Sequence, residues 1–182
     1  IMIQIDQQTT RYLDFHEDIS LDSLCYLLVL LSRFKRRNKP LIRTVVSKLL
    51  QFKTENLYTM PPHIINMLLA LSRLSYYEVN LIEKSVEILI KFDFLSSNSA
   101  SSKRDFMIAI SQFNFYYPKL IDYYMQTLIE RPELFQRQDL ITLVITLARL
   151  NCNEPDVIEV IKTHIVPKLM DSNDFTSELQ WF

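Results

Sequence analysis

Eight basic residues, Arg33, Lys35, Arg36, Arg37, Lys39, Arg43, Lys48 and Lys53, fall between Asp22 and Glu55 with no acidic residue among them. Clustered ammonium and guanidinium groups bind phosphates and release counterions as they do so, so such a stretch suits RNA and its binding weakens steeply with salt. The alternative is a solvated loop and helix face. The densest part, Lys35-Arg36-Arg37-Asn38-Lys39, has no apolar residue and is expected on an exposed turn. Aromatic groups recur in two later loops, Tyr76-Tyr77 and Phe115-Tyr116-Tyr117. Rings there either stack on bases or pack against a protein neighbour. Arg33, Arg73, Gln112 and Arg149 share a third pattern, each two residues after a recurrent Leu or Ile. They form a row that either faces a ligand or, lying in last helical turns, meets the carbonyl end of the helix dipole.

Catalytic constellations are not apparent. His16, His63 and His164 have no metal-ligating partner at i+4, and surface or interface roles are expected for them. Cys25 sits among Leu24, Leu27 and Leu28, and Cys152 in a short loop, so neither a disulfide framework nor a zinc pattern is suggested, and a reducing compartment is expected. Glu154 and Asp156 open a helix, where negative charge is favoured for structural reasons. Glycine is absent, although an average chain of this length carries roughly 13. Phosphate loops, dinucleotide fingerprints and strained nucleophile turns all need glycine, so none is present in its usual form. No enzyme activity, cofactor, metal or small-molecule substrate is expected. The longest apolar run, Leu24 to Leu31, is far shorter than the ~20 residues of a membrane span. Net charge is −1, and the later part of the chain is acidic, so a phosphate-binding surface is expected near the basic run rather than along the whole molecule.

The elements that position these residues follow from an internal repeat. Segments 27–50, 67–90, 106–129 and 143–166 superimpose without a gap. Leu31, Leu71, Ile110 and Leu147 then coincide, as do Ile42, Ile82, Ile121 and Ile158, giving spacings of 40, 39 and 37 residues. Each segment holds two apolar-periodic stretches joined by a short loop, which predicts an all-α chain, an α-solenoid of four helical hairpins. The first helix of each hairpin carries an apolar stripe, for example Leu27, Leu28, Leu31 and Phe34. Pro40, Pro118 and Pro155 are placed to open second helices, and Pro132 to end one. The expected organisation is an N-terminal extension (1–19), hairpins one and two (20–92), a flexible Ser-rich connector (93–102), hairpins three and four (103–170) and a segment 171–182 that begins a fifth helix, with Trp181 and Phe182 facing a partner. The chain opens on Ile1 rather than Met and is expected to be a processed form or a portion of a longer protein.

First helices ending in Leu31-Ser32-Arg33-Phe34, Leu71-Ser72-Arg73-Leu74 and Leu147-Ala148-Arg149-Leu150, followed by a short loop and pairs such as Leu41-Ile42 and Leu81-Ile82, resemble the FAST-kinase-like and octotricopeptide or heptatricopeptide repeat proteins of mitochondria and plastids. The resemblance covers roughly residues 20–170. The glycine often found after the Arg-Leu pair is replaced here by Lys35, Ser75, Asn114 and Asn151, and no protein-kinase signature is present. The resemblance implies a mitochondrial matrix protein that binds organellar RNA, such as a component of the mitochondrial ribosome. The RNA-binding residues expected are Arg33, Lys35, Arg36, Arg37, Lys39, Arg43, Arg73 and Arg149, with Tyr76, Tyr77, Tyr116 and Tyr117 stacking or meeting a partner. A protein scaffold or assembly factor without RNA contact, or a piece of a larger RNA-processing factor, is the alternative.

Overall fold

The computed structural model of the chain describes residues 2–15, 19–52 and 61–170. His16, Lys53 and the segment 171–182 lie outside the described residues. Among the described residues the regular structure is entirely helical. The helices are α1 (Met2–Phe15), α2 (Leu21–Arg33), α3 (Lys39–Gln51), α4 (Pro61–Leu74), α5 (Val79–Lys91), α6 (Phe94–Ser97), α7 (Ala100–Phe113), α8 (Pro118–Glu130), α9 (Arg137–Arg149), α10 (Pro155–Val160) and α11 (Val166–Met170). A π-helical turn, Ile161–Ile165, joins the last two, and a short 3₁₀ turn, Pro132–Leu134, precedes α9.

Local signals set the helix starts. The Ser20 side chain accepts the Ser23 amide at 3.3 Å, and Asn38 Oδ1 accepts the Leu41 amide at 3.2 Å. Ser99 accepts the Ser102 amide at 3.3 Å, while Gln136 and Asp139 form a reciprocal capping box on α9. Pro118 and Pro155 stand at the first positions of α8 and α10, where a missing amide proton costs nothing.

The helix ends repeat one device. Lys35, Ser75, Asn114 and Asn151 all adopt left-handed backbone, with φ of 52, 55, 51 and 55°. Five residues beyond each anchor an amide returns to the anchor carbonyl: Arg36 to Leu31, Tyr76 to Leu71, Phe115 to Ile110 and Cys152 to Leu147, at 2.8, 3.0, 3.2 and 3.0 Å. The left-handed residue itself donates to the carbonyl after the anchor, completing a Schellman cap. Glycine normally takes this position because a Cβ there is strained, and Asn is next best. Ser75→Gly is therefore expected to raise stability by about 1 kcal/mol, and Asn114→Gly by less, read from urea midpoints.

The chain divides into two compact units, Ile1–Asn98 and Ser99–Phe182. In the first, α2 packs on α4, α3 packs on α5, and α1 packs on α3, so α1 occupies the place of a second helix ahead of α2. Leu24, Leu28, Ile42, Val45, Leu68, Leu71 and Ile82 are each at most 1% exposed and form its core. In the second unit α7 packs on α9 and α8 on α10, around Phe106, Met107, Ile110, Leu128, Leu143 and Leu147. Burial of such a side chain contributes about 1.5–3 kcal/mol, which makes these anchors the main source of cohesion.

Three expectations need correction. The Ser-rich stretch 93–102 contains the boundary between the two units, as a connector would, but it is not irregular throughout: Asp93 turns the chain at φ 45°, α6 buries Phe94 and Leu95 completely, and Ser99 caps α7. Two apolar anchors and a cap outweigh the serine content. Phe34 leaves the apolar stripe and is 71% exposed, whereas the equivalent Leu74 and Leu150 are buried at 4% and 6%. It is the C-cap residue, and its ring turns outward at the loop corner. Ile158 is 37% exposed although Ile42, Ile82 and Ile121 are at most 4% exposed, because no later hairpin among the described residues covers it.

Candidate nucleic-acid interface

The loop between α2 and α3 is pinned at both ends. The Schellman cap closes α2 through the Lys35 and Arg36 amides, and Asn38 caps α3 only two residues later. The intervening basic side chains therefore project from a defined turn. Arg33, Lys35, Arg37, Lys39 and Arg43 are all exposed, while Arg36 and Lys48 are half-buried and engaged within the chain. Among the described residues none of the five exposed cations has an ion-pair partner. Like charges this close repel one another, and a phosphate backbone relieves that repulsion. The exposed ring of Phe34 lies next to Lys35 in the chain and offers a stacking surface beside the charges.

The two readings of the arginine row can now be separated. At the end of α2 the carbonyls of Leu30, Leu31 and Ser32 are already taken by backbone amides, so Arg33 is not needed to satisfy them. The same holds for Arg73, since the Leu71 and Ser72 carbonyls receive Tyr76 and Ser75. Arg33 and Arg73 are exposed at the same position on two helices that pack together. Arg149, in the second unit, is held instead: its Nη1 donates to Ser111 Oγ at 3.3 Å, tying α9 to α7. It is an exposed residue that also ties two helices together.

A groove of about 480 Å³ opens between α2 and α4. Arg33 belongs to both this groove and the basic run, and Tyr26, Val29, Asn66, His63 and Asp22 line the remainder. Tyr26 is 60% exposed. His63 Nδ1 lies 3.3 Å from Asp22 Oδ1, bridging the two helices at one end. A phenol ring, an amide and a guanidinium on one strip can stack on, hydrogen-bond to and neutralise parts of a single-stranded nucleotide. On the groove wall, burial and the neighbouring Asp22 push the Cys25 thiol up to about 12, which disfavours its thiolate. Tyr26, Asn66 and Phe34 were not legible as site residues from composition. The repeat frame does carry the signal, since Tyr26 and Asn66 both stand five residues before their anchor and seven before Arg33 and Arg73, on the same helical face.

The aromatic loops resolve unevenly. Tyr77 is half exposed and Tyr76 half-buried in the loop between α4 and α5. In the second unit Phe115 is buried and stacks on Tyr117 at 5.7 Å and 15°, with Lys119 Nζ 6.0 Å from the Tyr117 ring. One face of Tyr117 is thus used internally. Tyr116 Oη donates to Glu154 Oε1 at 2.6 Å, linking the hairpin loop after α7 to the one after α9. That bond pushes the Tyr116 phenol up to about 12 and holds the Glu154 carboxyl below its usual range. The raised phenol stabilises the fold below its ordinary value of 10.0 and loses its contribution as pH climbs toward 12. The lowered carboxyl contributes above the ordinary carboxylate range and loses its contribution in acid. Tyr116→Phe is accordingly expected to be less stable than the natural chain near neutral pH. Thermal midpoints of the two chains should converge at both extremes of a pH series.

Among the described residues there is no group of three or more His, Cys, Asp and Glu side chains able to hold a metal, and no helix long and apolar enough to cross a membrane. Cys152 is likewise pushed up by burial and by Glu154. No family model, curated protein or solved structure matches the chain.

Proposed function

We propose that this chain is a non-catalytic helical-repeat scaffold, an α-solenoid of hairpins that grips RNA phosphates through its first hairpin and meets proteins through its other faces. The observation that carries the reading is the run Arg33, Lys35, Arg37, Lys39 and Arg43, exposed and without acidic partners among the described residues on a pinned turn, with Arg73 at the matching position of the next hairpin. Supporting it, the adjoining α2–α4 groove offers Tyr26 and Asn66 for a base, and the exposed Phe34 ring flanks the charges. Burial pushes both cysteine thiols up and so disfavours their thiolate forms. The alternating packing of first on first and second on second helices within each unit is what a hairpin stack requires.

The likeness of the repeat sequences to organellar repeat proteins supports an organelle-matrix reading, most economically the mitochondrial ribosome, where a near-neutral chain can face RNA on one side and proteins on the others. Sedimentation of tagged chain from organelle lysate tests this. Migration with ribosomal particles in moderate salt, lost after nuclease treatment, is expected. Stable association with proteins that survives nuclease unchanged would instead assign the basic hairpin to an acidic protein partner.

A further inference from the structure

The second helices of unit two, α8 and α10, leave a groove of about 440 Å³ between them. Met125 and Val157 lie deepest, at 7% and 6% exposure, and Ile129 is open to solvent at 48%. The exposed carboxylates Asp122, Glu130 and Asp156 edge it, with Glu130 held by the Gln126 amide at 2.8 Å.

The repeat frame shows what is special about this place. The corresponding pair in unit one is α3 and α5, and there the position of Val160 is taken by Lys84. Lys84 Nζ donates to the Phe52 carbonyl at the end of α3, so its aliphatic stem spans the two helices. Arg43 stands where unit two has Asp122. One site is therefore bridged by its own lysine and edged by Arg43 and the neutral Gln51 and Asn80; the other lacks the lysine, keeps the apolar surface open and is edged with carboxylates.

We propose that the α8–α10 groove docks an amphipathic helix of a protein partner, its apolar ridge seated on Met125, Ile129 and Val157 and its Lys or Arg side chains paired with Asp122, Glu130 and Asp156. Charge complementarity selects this occupant. Carboxylates on both edges repel a phosphate backbone. The chain's own residues 171–182 carry Asp171, Asp174 and Glu178 with no Lys or Arg, so they are repelled as well. A helix laid in a groove with apolar anchors at i, i+3/i+4 and i+7 and a charged rim is a recurrent recognition mode. The inference deepens the protein-binding half of the proposed function and stands apart from the RNA half.

The test uses the whole chain as bait for a displayed library of amphipathic helices with charge positions randomised, followed by methyl NMR of a winning peptide. Enrichment of Lys and Arg at the flanking positions is expected, with shifts confined to Met125, Ile129, Val157 and Val160. Affinity should drop about tenfold in the Asp122→Asn, Asp156→Asn double variant. Ile129→Glu, at an exposed site that leaves folding intact, should abolish binding. Neutralising Lys35, Arg36, Arg37 and Lys39 should leave it unchanged, which separates this groove from the RNA reading. No enrichment, enrichment of acidic or uncharged helices, shifts elsewhere, displacement of the peptide by RNA, or a self-association that Ile129→Glu disrupts would each overturn the proposal.

Discussion

Replacing Lys35, Arg36, Arg37 and Lys39 together by glutamine is expected to weaken single-stranded RNA binding by about a hundredfold near 0.1 M salt. The reasoning is electrostatic. Each phosphate neutralised on a single strand adds about 0.7 to the slope of log affinity against log salt, so losing the three exposed cations Lys35, Arg37 and Lys39 flattens that slope by about 2 units, Arg36 being engaged within the chain. Fluorescence anisotropy with a labelled oligonucleotide across a salt series measures both quantities. The chain should remain folded, because the pinned turn depends on backbone amides and on Asn38, and of the four side chains only Arg36 is engaged elsewhere among the described residues. Arg149→Gln makes the control: the residue lies in the second unit, outside the basic run, so the loss should stay below about twofold.

Asp139→Ala should destabilise the second unit by about 3–5 kcal/mol. The carboxylate is completely buried, takes Arg104 Nη1 at 2.8 Å and accepts the Gln136 amide at 2.9 Å, so one side chain ties α7 to α9 and caps α9. Removing it strands both donors and opens a cavity. Since a domain of this size holds only about 5–15 kcal/mol in total, much of unit two should be unfolded at modest urea. Far-UV circular dichroism in urea reads the shift, and hydrogen exchange should place it on α7 and α9. Asp139→Asn, which keeps an acceptor for the cap, should cost less. The double variant Arg104→Met, Asp139→Leu should recover much of the loss, as apolar replacement of a buried pair commonly does.

Helices and their limits were largely legible because the signals were local. Prolines 40, 118 and 155 and the recurrent Leu or Ile each specify a boundary or a buried position without reference to distant residues. Positions 35, 75, 114 and 151 aligned in the sequence and share one left-handed conformation, because the chain must reverse at the same point after each anchor whether or not glycine is available. Segment 93–102 was misread in part for the opposite reason: serine counts suggest a linker, but burial of Phe94 and Leu95 depends on tertiary neighbours that composition does not contain. The basic run was visible as charge. Which arginine also ties two helices together was not, since the difference between Arg33 and Arg149 lies in a serine 38 residues away from the latter. The α2–α4 groove and the carboxylate-edged α8–α10 groove arise from pairs of helices, so they emerge only when hairpins are stacked.

The central claim is that the first hairpin touches RNA, and in-cell ultraviolet crosslinking with sequencing of the attached RNA tests it most directly. The natural chain should crosslink to a defined RNA, with ribosomal reads if the scaffold serves that assembly, and the Lys35, Arg36, Arg37, Lys39 glutamine variant should lose those crosslinks while remaining folded. Crosslinks at background for both chains, or crosslinks undiminished in the variant, would contradict the account.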